Sequence, residues 1–231
     1  MTFDIQRSAE RFHADHGWLK TYHSFSFADY YDPQNVQWGA LRVFNDDYIA
    51  GGSGFPPHPH RDMEIVTYVL SGELEHKDSM GNHGVVGPGG VQFMSAGTGV
   101  RHAEFNADKD RELHLVQMWV MPGKNGTAPS YGQKDFTTGD RRNRWLTVAS
   151  GQPGVEAPIA LTQNATLRVA RLEDTQLSIE QEPNRFGFLF VADGSVNVNG
   201  NALSAGDAVR LHDVAHLDAS GTGELVFWET A

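Results

Sequence analysis

Four side chains able to ligate a metal stand in two pairs, each pair split by one neighbour. His58 and His60 end the segment Gly51-Gly-Ser-Gly-Phe-Pro-Pro-His-Pro-His60, and His102 and Glu104 lie in Gly99-Val-Arg-His-Ala-Glu-Phe-Asn106. Residues i and i+2 of an extended strand face the same way, so each pair can reach one point. If the two strands lie side by side, three imidazoles and one carboxylate converge. Such a mixed nitrogen and oxygen set suits a divalent transition metal, and it leaves about two octahedral positions for water, substrate or dioxygen. The expectation is that His58, His60, His102 and Glu104 place donor atoms within about 2.0–2.4 Å of one ion. Neither pair decides the matter alone. A His-x-His in a Pro-rich segment is often surface chemistry, and a His and a Glu after a Gly-rich turn can face water. The shared parity and the strand-like run between the pairs favour a common site.

The elements that must position these residues read as β-structure. Met63 to Leu70 is β-branched and aromatic, as a buried strand is. Ser71-Gly72 turns it and Glu73-Leu-Glu-His76 starts the return, with Asp78 to Asn82 as the next turn. Gly84 to Gly90 reads as a loop, Val91 to Met94 as a strand, and His114 to Val120 as a strand closing this half. Short strands at intervals of about ten residues, with Gly or Pro between them, indicate an all-β sandwich or barrel. Ahead of the His pair, Gly51, Gly52 and Gly54 suggest backbone angles that other residues resist, and Pro56, Pro57 and Pro59 stiffen the segment. Gly39 to Ile49 reads as a strand, Ala-Leu-Arg-Val-Phe, ending at Asn45-Asp46-Asp47, which reads as a polar turn leading into the next strand. In the aromatic-rich stretch before Val36, Phe25 and Phe27 alternate with Ser24 and Ser26 as in a half-buried strand, and His23 is expected at the edge of the core.

Composition narrows the classes. The chain has 231 residues, no Cys, 39% hydrophobic residues and a formal net charge of -11. A real core is affordable, thiolate and disulfide chemistry are excluded, and so acidic a chain repels phosphate backbones. The one basic run, Arg141-Arg-Asn-Arg144, reads as a solvated face. There is no visible signal peptide and no apolar run of membrane-spanning length, so a cytoplasmic protein without membrane or nucleic-acid contact is expected.

Met121 to about Gly154 is loop-rich, after which the pattern repeats. Phe186 to Val191 is a strand, Asp193-Gly194 and Asn199-Gly200 are hairpin turns, and Glu224 to Trp228 is the last strand. Aligning Gly194 with Gly72 puts Glu180 and Glu182 at the places of His58 and His60, and His216 and Asp218 near those of His102 and Glu104. A duplicate with a structural role is expected there, in two domains spanning 1–135 and 136–231, the second without metal.

The first half resembles the two cupin motifs: Gly52, His58, His60, Glu64 and Gly72 match the first, and Gly97, His102 and Asn106 the end of the second. Glu104, two residues past His102, is a feature of pirins. His23-Ser-Phe-Ser-Phe-Ala-Asp-Tyr30, Trp38-Gly-Ala-Leu-Arg-Val-Phe-Asn-Asp-Asp47 and Leu115-Val-Gln-Met-Trp-Val-Met-Pro122 also look like pirin. The resemblance is closest to the bacterial pirin-like quercetin 2,3-dioxygenases. It implies a bicupin of two packed β-barrels, with His58, His60, His102 and Glu104 as ligands in the first domain. The implied cofactor is one divalent transition metal ion, Fe(II) first, with Ni, Co, Cu, Mn or Zn as alternatives. Glu64, a ligand in many cupins, is the competing carboxylate.

The implied activity is oxygenation of a flavonol such as quercetin, opening its heterocycle with O2 and releasing CO. Glu104 is the candidate general base. Two other readings stand beside it. One is a metal-binding pirin acting as a regulatory or protein-interaction module; a deep apolar cavity at the ion would separate catalysis from that role. The other is a different cupin enzyme with an anionic substrate, for which Arg61 and Arg101 would have to face the metal, and strand parity turns both away.

Overall fold

A computed structural model describes residues 1–231. Seventeen strands and two short helical turns make up its regular structure. The first strands are β1 (Thr2–Gln6), β2 (Phe12–Asp15), β3 (Leu19–His23), β4 (Leu41–Ile49), β5 (Gly54–Ser71) and β6 (Leu74–Asp78). There follow β7 (His83–Val86), β8 (Val91–Asn106), β9 (Leu113–Val120), β10 (Ser130–Lys134), β11 (Leu146–Ser150) and β12 (Ile159–Ala160). The last are β13 (Ala165–Glu180), β14 (Phe186–Val198), β15 (Asn201–Ser204), β16 (Ala208–His212) and β17 (His216–Thr230). No helix is long and apolar enough to cross a membrane.

The chain divides into two compact units. One comprises Phe12–Gln37 and Leu41–Phe136; the other comprises Met1–Arg11, Trp38–Ala40 and Thr137–Ala231. In the first unit nine strands form one sheet in the order β2-β3-β4-β9-β5-β8-β6-β7, with β10 on β8. Its pairs are all antiparallel. Cross-strand partners share a face, so the register stacks the interior in rows. The row Leu19–Ile49–Leu113 and its neighbour Leu115 are apolar, and they cluster with Val69, Leu74 and Val86. Farther along, Ile65 and Met94 cluster with Ala96 and Val100, against the half-buried Trp119. Between these two apolar blocks runs a polar row, His23–Asn45–Gln117–Thr67–Gln92, one residue from each of β3, β4, β9, β5 and β8. It is the floor on which the site is built.

Several local readings of the sequence change: part of the expected loop Gly84 to Gly90 belongs to β7, and Ser24 to Phe27 follow the end of β3 rather than forming a strand. Asn45, Asp46 and Asp47 are not a turn; they lie within β4 and are 3%, 5% and 2% exposed. The prolines before His60 do not precede the strand but lie inside β5, which runs unbroken for 18 residues. They are tolerated because this end of β5 pairs with β8 alone, β9 joining only from Glu64 onward, and because the β8 ladder breaks between Phe55 and His58. Of the three glycines there only Gly52 takes a positive φ, 67°; a Cβ on Gly54 would lie 2.2 Å from the Glu104 carbonyl oxygen, so at Gly54 the requirement is room for β8.

The second unit holds an eight-stranded sheet in the order β1-β16-β14-β17-β13-β11-β12, with β15 on β14. Its interior is filled by apolar side chains, among them Leu172, Leu189, Val191, Leu211, Leu225 and Phe227. The edge strand β1 adds Phe3 and Ile5 to that core, and Arg7 anchors it to Asp207 at 2.8 Å. The basic run is not wholly solvated either: Arg141 is buried and pairs with Glu224 at 2.6 Å.

Candidate metal centre

The paired strands β5 and β8 put His58 directly opposite His102. The imidazoles of His58, His60 and His102 come together, their ring centroids 4.5–4.8 Å apart and their donor atoms all within 4.8 Å of one another. Burial first, then the neighbouring imidazoles, depresses the pKa of His60 to about 4 and that of His102 to about 3. Both are therefore neutral at neutral pH and can offer lone pairs.

Their hydrogen bonds fix where those lone pairs point. His58 Nδ1 lies 2.8 Å from the Pro56 carbonyl oxygen, which can only accept, so Nδ1 carries the proton and Nε2 is bare. His76 Nε2 lies 3.2 Å from Asp78 Oδ2, a buried carboxylate, so His76 donates from Nε2 and its Nδ1 is bare. His102 Nδ1 lies 3.4 Å from that bare nitrogen and donates to it, which leaves His102 Nε2 bare as well. The bare Nε2 atoms of His58 and His102 then face each other at 3.1 Å with no proton between them. Two lone pairs at that distance repel unless a cation sits between them. Cis ligands on an octahedral ion with bonds of about 2.1 Å are about 3.0 Å apart, so the spacing fits a shared metal.

Glu104 carries the second indication. It is 1% exposed, and its partners are two neutral amides: Gln92 donates to Oε1 at 2.6 Å and Gln117 to Oε2 at 2.8 Å. Trp119 in turn donates to Gln117 Oε1 at 3.1 Å, which locks the amide in this orientation. No Lys or Arg reaches the carboxylate. A buried negative charge is costly without a cation, and each oxygen keeps a second lone pair for one. Glu104 groups most closely with His102 and His76, and His102 belongs to both clusters. Glu64, the competing carboxylate, is fully buried and belongs to neither.

Beside the imidazoles of His58 and His60 and the Glu104 carboxylate opens a cavity of about 380 Å³. Phe27, Phe55, Pro56, Pro57 and Trp119 give it apolar walls, and Thr21, His23, Asn45, Asp47 and Gln117 a polar floor. Of the aromatics in the N-terminal stretch, Phe27 is the one that lines it. Arg61 is exposed, and Arg101 turns outward to the Pro57 carbonyl at 2.9 Å, so neither brings positive charge to the cavity. The duplicate residues do not gather: Glu180, Glu182 and His216 are exposed, and Asp218 accepts from the Ser178 hydroxyl.

Sequence reasoning missed His76, Asp78, Gln92, Gln117, Asn45 and Asp47. Faint signals existed. Leu74, His76 and Asp78 alternate as one face of a strand, and Gln92 and Gln117 each interrupt an apolar run.

Comparison with known proteins places these features. Residues 3–120 match the family model described as Pirin, and residues 147–227 one described as Quercetinase C-terminal cupin domain. A pirin-like protein of Caulobacter vibrioides is 46% identical over 94% of this chain and 95% of its own. A quercetin 2,3-dioxygenase of Escherichia coli is 43% identical over 90% of this chain and 89% of its own. The crystal structure of the bacterial pirin YhhW from Escherichia coli in complex with nickel(II) superposes with a TM-score of 0.91 at 38% identity, covering 99% of both chains.

Proposed function

The chain belongs to the pirin family, and from that premise we propose that it is a metal-dependent quercetin 2,3-dioxygenase. The reading takes His58, His60, His102 and Glu104 as the metal ligands. The observation that carries it is the pair of facing Nε2 atoms of His58 and His102, 3.1 Å apart, beside a buried Glu104 whose hydrogen bonds come only from neutral amides. A divalent ion bound there supplies a Lewis acid and a template that brings a flavonol hydroxyl and O2 together. The relative from Escherichia coli named quercetin 2,3-dioxygenase and the nickel-bound pirin support the activity and the metal respectively.

The chain's own residues do the rest. Phe27, Phe55 and Trp119 enclose a flat aromatic substrate in a cavity within the size range of small-molecule sites. Gln92 and Gln117 hold the Glu104 carboxylate in place, so that a free lone pair can take the proton of the substrate hydroxyl. Pro56 and the Asp78–His76 pair fix the tautomers of His58 and His102. The walls exclude water while the ring is opened with O2 and CO is released. A cavity at the imidazoles favours catalysis over the alternative of a regulatory metal-binding module, which needs only an open surface.

The test is reconstitution with Fe(II), Ni(II), Co(II), Cu(II) or Mn(II), anaerobic addition of quercetin, and then oxygen. Loss of the flavonol absorbance with evolution of CO is the expected outcome. Metal loaded stoichiometrically with no loss of quercetin for any ion would remove the enzyme reading.

A further inference from the structure

The polar floor of the cavity contains a group that the chemistry above does not use. Asn45 is 3% exposed and lines the cavity, and its Oδ1 is fully buried with no hydrogen-bond partner. Buried side-chain amides are ordinarily satisfied, because an unpaired one has given up water for nothing. The two residues flanking it in the row, His23 and Gln117, also line the cavity, as does Asp47, two residues along the same face. Gln117 touches Glu104 at 2.8 Å. Asn45 stands one strand farther out, so its amide lies roughly 8 Å beyond the Glu104 carboxylate, taking about 4.8 Å between strands. A planar molecule held at the imidazoles by one hydroxyl, lying along this floor beside the contacting rings of Phe27 and Trp119, brings its remote ring to Asn45.

We propose that Asn45 is a specificity-determining residue, whose carboxamide hydrogen-bonds a hydroxyl on the substrate ring remote from the metal-bound hydroxyl. The inference rests on the flavonol reading and narrows it: the preferred substrates are planar polyphenols with a free hydroxyl at that remote end. An analogue with a bare phenyl ring fills the same space but leaves the amide unpaired. A site built to pair a hydroxyl rejects such an analogue far more strongly than an apolar pocket separates two hydrocarbons. Either orientation of the carboxamide serves, since a phenol both donates and accepts.

The experiment measures binding, not turnover. Metal-loaded protein is titrated under anaerobic conditions with quercetin and with the flavonol whose remote ring carries no hydroxyl, following quenching of tryptophan fluorescence. The wild type is expected to bind quercetin at least tenfold more tightly. Asn45→Leu, close in size, is expected to weaken quercetin to the level of the bare analogue and leave that analogue unchanged. Asn45→Asp, which keeps an acceptor, is expected to retain a preference. Unchanged metal stoichiometry and unfolding temperature show that each variant is folded, and Asn45→Ala replaces any that is not. Equal binding of both flavonols by the wild type, or a preference that survives in Asn45→Leu, overturns this inference and leaves the dioxygenase reading standing. Metal-loaded protein that binds neither flavonol overturns both.

Discussion

Asp78→Asn tests the tautomer chain that readies His102 for metal. In the wild type the Asp78 carboxylate accepts from His76 Nε2 at 3.2 Å, His76 Nδ1 accepts from His102 Nδ1 at 3.4 Å, and His102 Nε2 is bare. Asp78 Oδ1 also accepts from the backbone of Met80 and Asn82 at 2.9 and 3.0 Å, and an amide oxygen can keep that turn. Oδ2 also accepts from Asn82 Nδ2 at 2.8 Å, so the amide nitrogen that replaces it donates to His76 Nε2 while the Asn82 side-chain amide turns over to accept from it. The His76 proton moves to Nδ1, His102 Nδ1 must accept, and the His102 proton moves to Nε2. There it blocks the metal and satisfies His58 Nε2 at 3.1 Å. Loading the metal must reverse two hydrogen bonds. At about 0.5–1.5 kcal/mol each, that is about 1–3 kcal/mol, or roughly 5- to 150-fold in affinity. The range agrees with the 10–100-fold typical of residues that orient metal ligands.

The assay is competition with a chromophoric chelator for Ni(II) or Zn(II), with thermal unfolding of the metal-free protein beside it. Affinity should fall at least about fivefold while the metal-free variant unfolds near the wild-type temperature, because the mutual repulsion of the bare nitrogens is relieved. His76→Phe is a second arm. It preserves the ring that stacks on Tyr131 at 4.2 Å and 14°, but removes the acceptor for His102, so it should weaken metal in the same direction. A folded Asp78→Asn protein with metal affinity within twofold of wild type would refute the tautomer reasoning.

Two further outcomes follow from the same geometry. The folded chain resists protonating His60 until about pH 4 and His102 until about pH 3, whereas both protonate near 6.5 when unfolded. The unfolded state therefore binds more protons over that interval, and the metal-free protein should lose stability as pH falls from about 6.5 toward 4. A His60→Gln/His102→Gln variant should show a shallower decline in calorimetry between pH 7 and 4.5, and equal slopes would contradict the assignment. Gly54→Ala sets a Cβ 2.2 Å from the Glu104 carbonyl oxygen and 2.5 Å from Phe105 Cα, both backbone atoms. Overpacking of this kind costs about 1–3 kcal/mol; the variant should unfold earlier and, with β5 and β8 forced apart, bind metal more weakly, as a thermal scan with and without Ni(II) would reveal.

What could be read in the sequence depended on how far the deciding contact lies along the chain. The convergence of His58 with His60 needs only the period of a strand, and so does that of His102 with Glu104. That the pairs belong together needs one further step, the antiparallel pairing of β5 and β8, for which the intervening turns give the clue. The polar floor needs five strands in register. Asn45 and Asp47 look like a turn because acidic and amide residues favour turns, and only their cross-strand neighbours, His23 and Gln117 for Asn45 and Thr21 and Leu115 for Asp47, make them interior. Asp78 does begin a turn, and the backbone bonds to Met80 and Asn82 show it; its second oxygen serves His76, a role no local pattern announces. Tertiary context overrides the propensity at each of these places because the groups are satisfied by partners from other strands, or, in the case of Asn45, left open.

The second unit shows what distinguishes a metal centre from the frame that carries it. Glu180 stands directly opposite His216 on β13 and β17, the same relation that His58 has to His102 on β5 and β8. Register alone therefore does not make a site. The first unit interrupts its apolar rows with a polar one that holds Glu104 through Gln92 and Gln117. At the corresponding depth the second unit packs Leu189, Val191, Leu225 and Phe227, all fully buried, and its Glu180 and His216 stay in water. A lone Glu-to-His exchange at position 180 would then recreate a pair of imidazoles but not a centre. It lacks the buried carboxylate, the amides that orient it and the neighbour that fixes a tautomer, and those supports are what make ligands of the first pair.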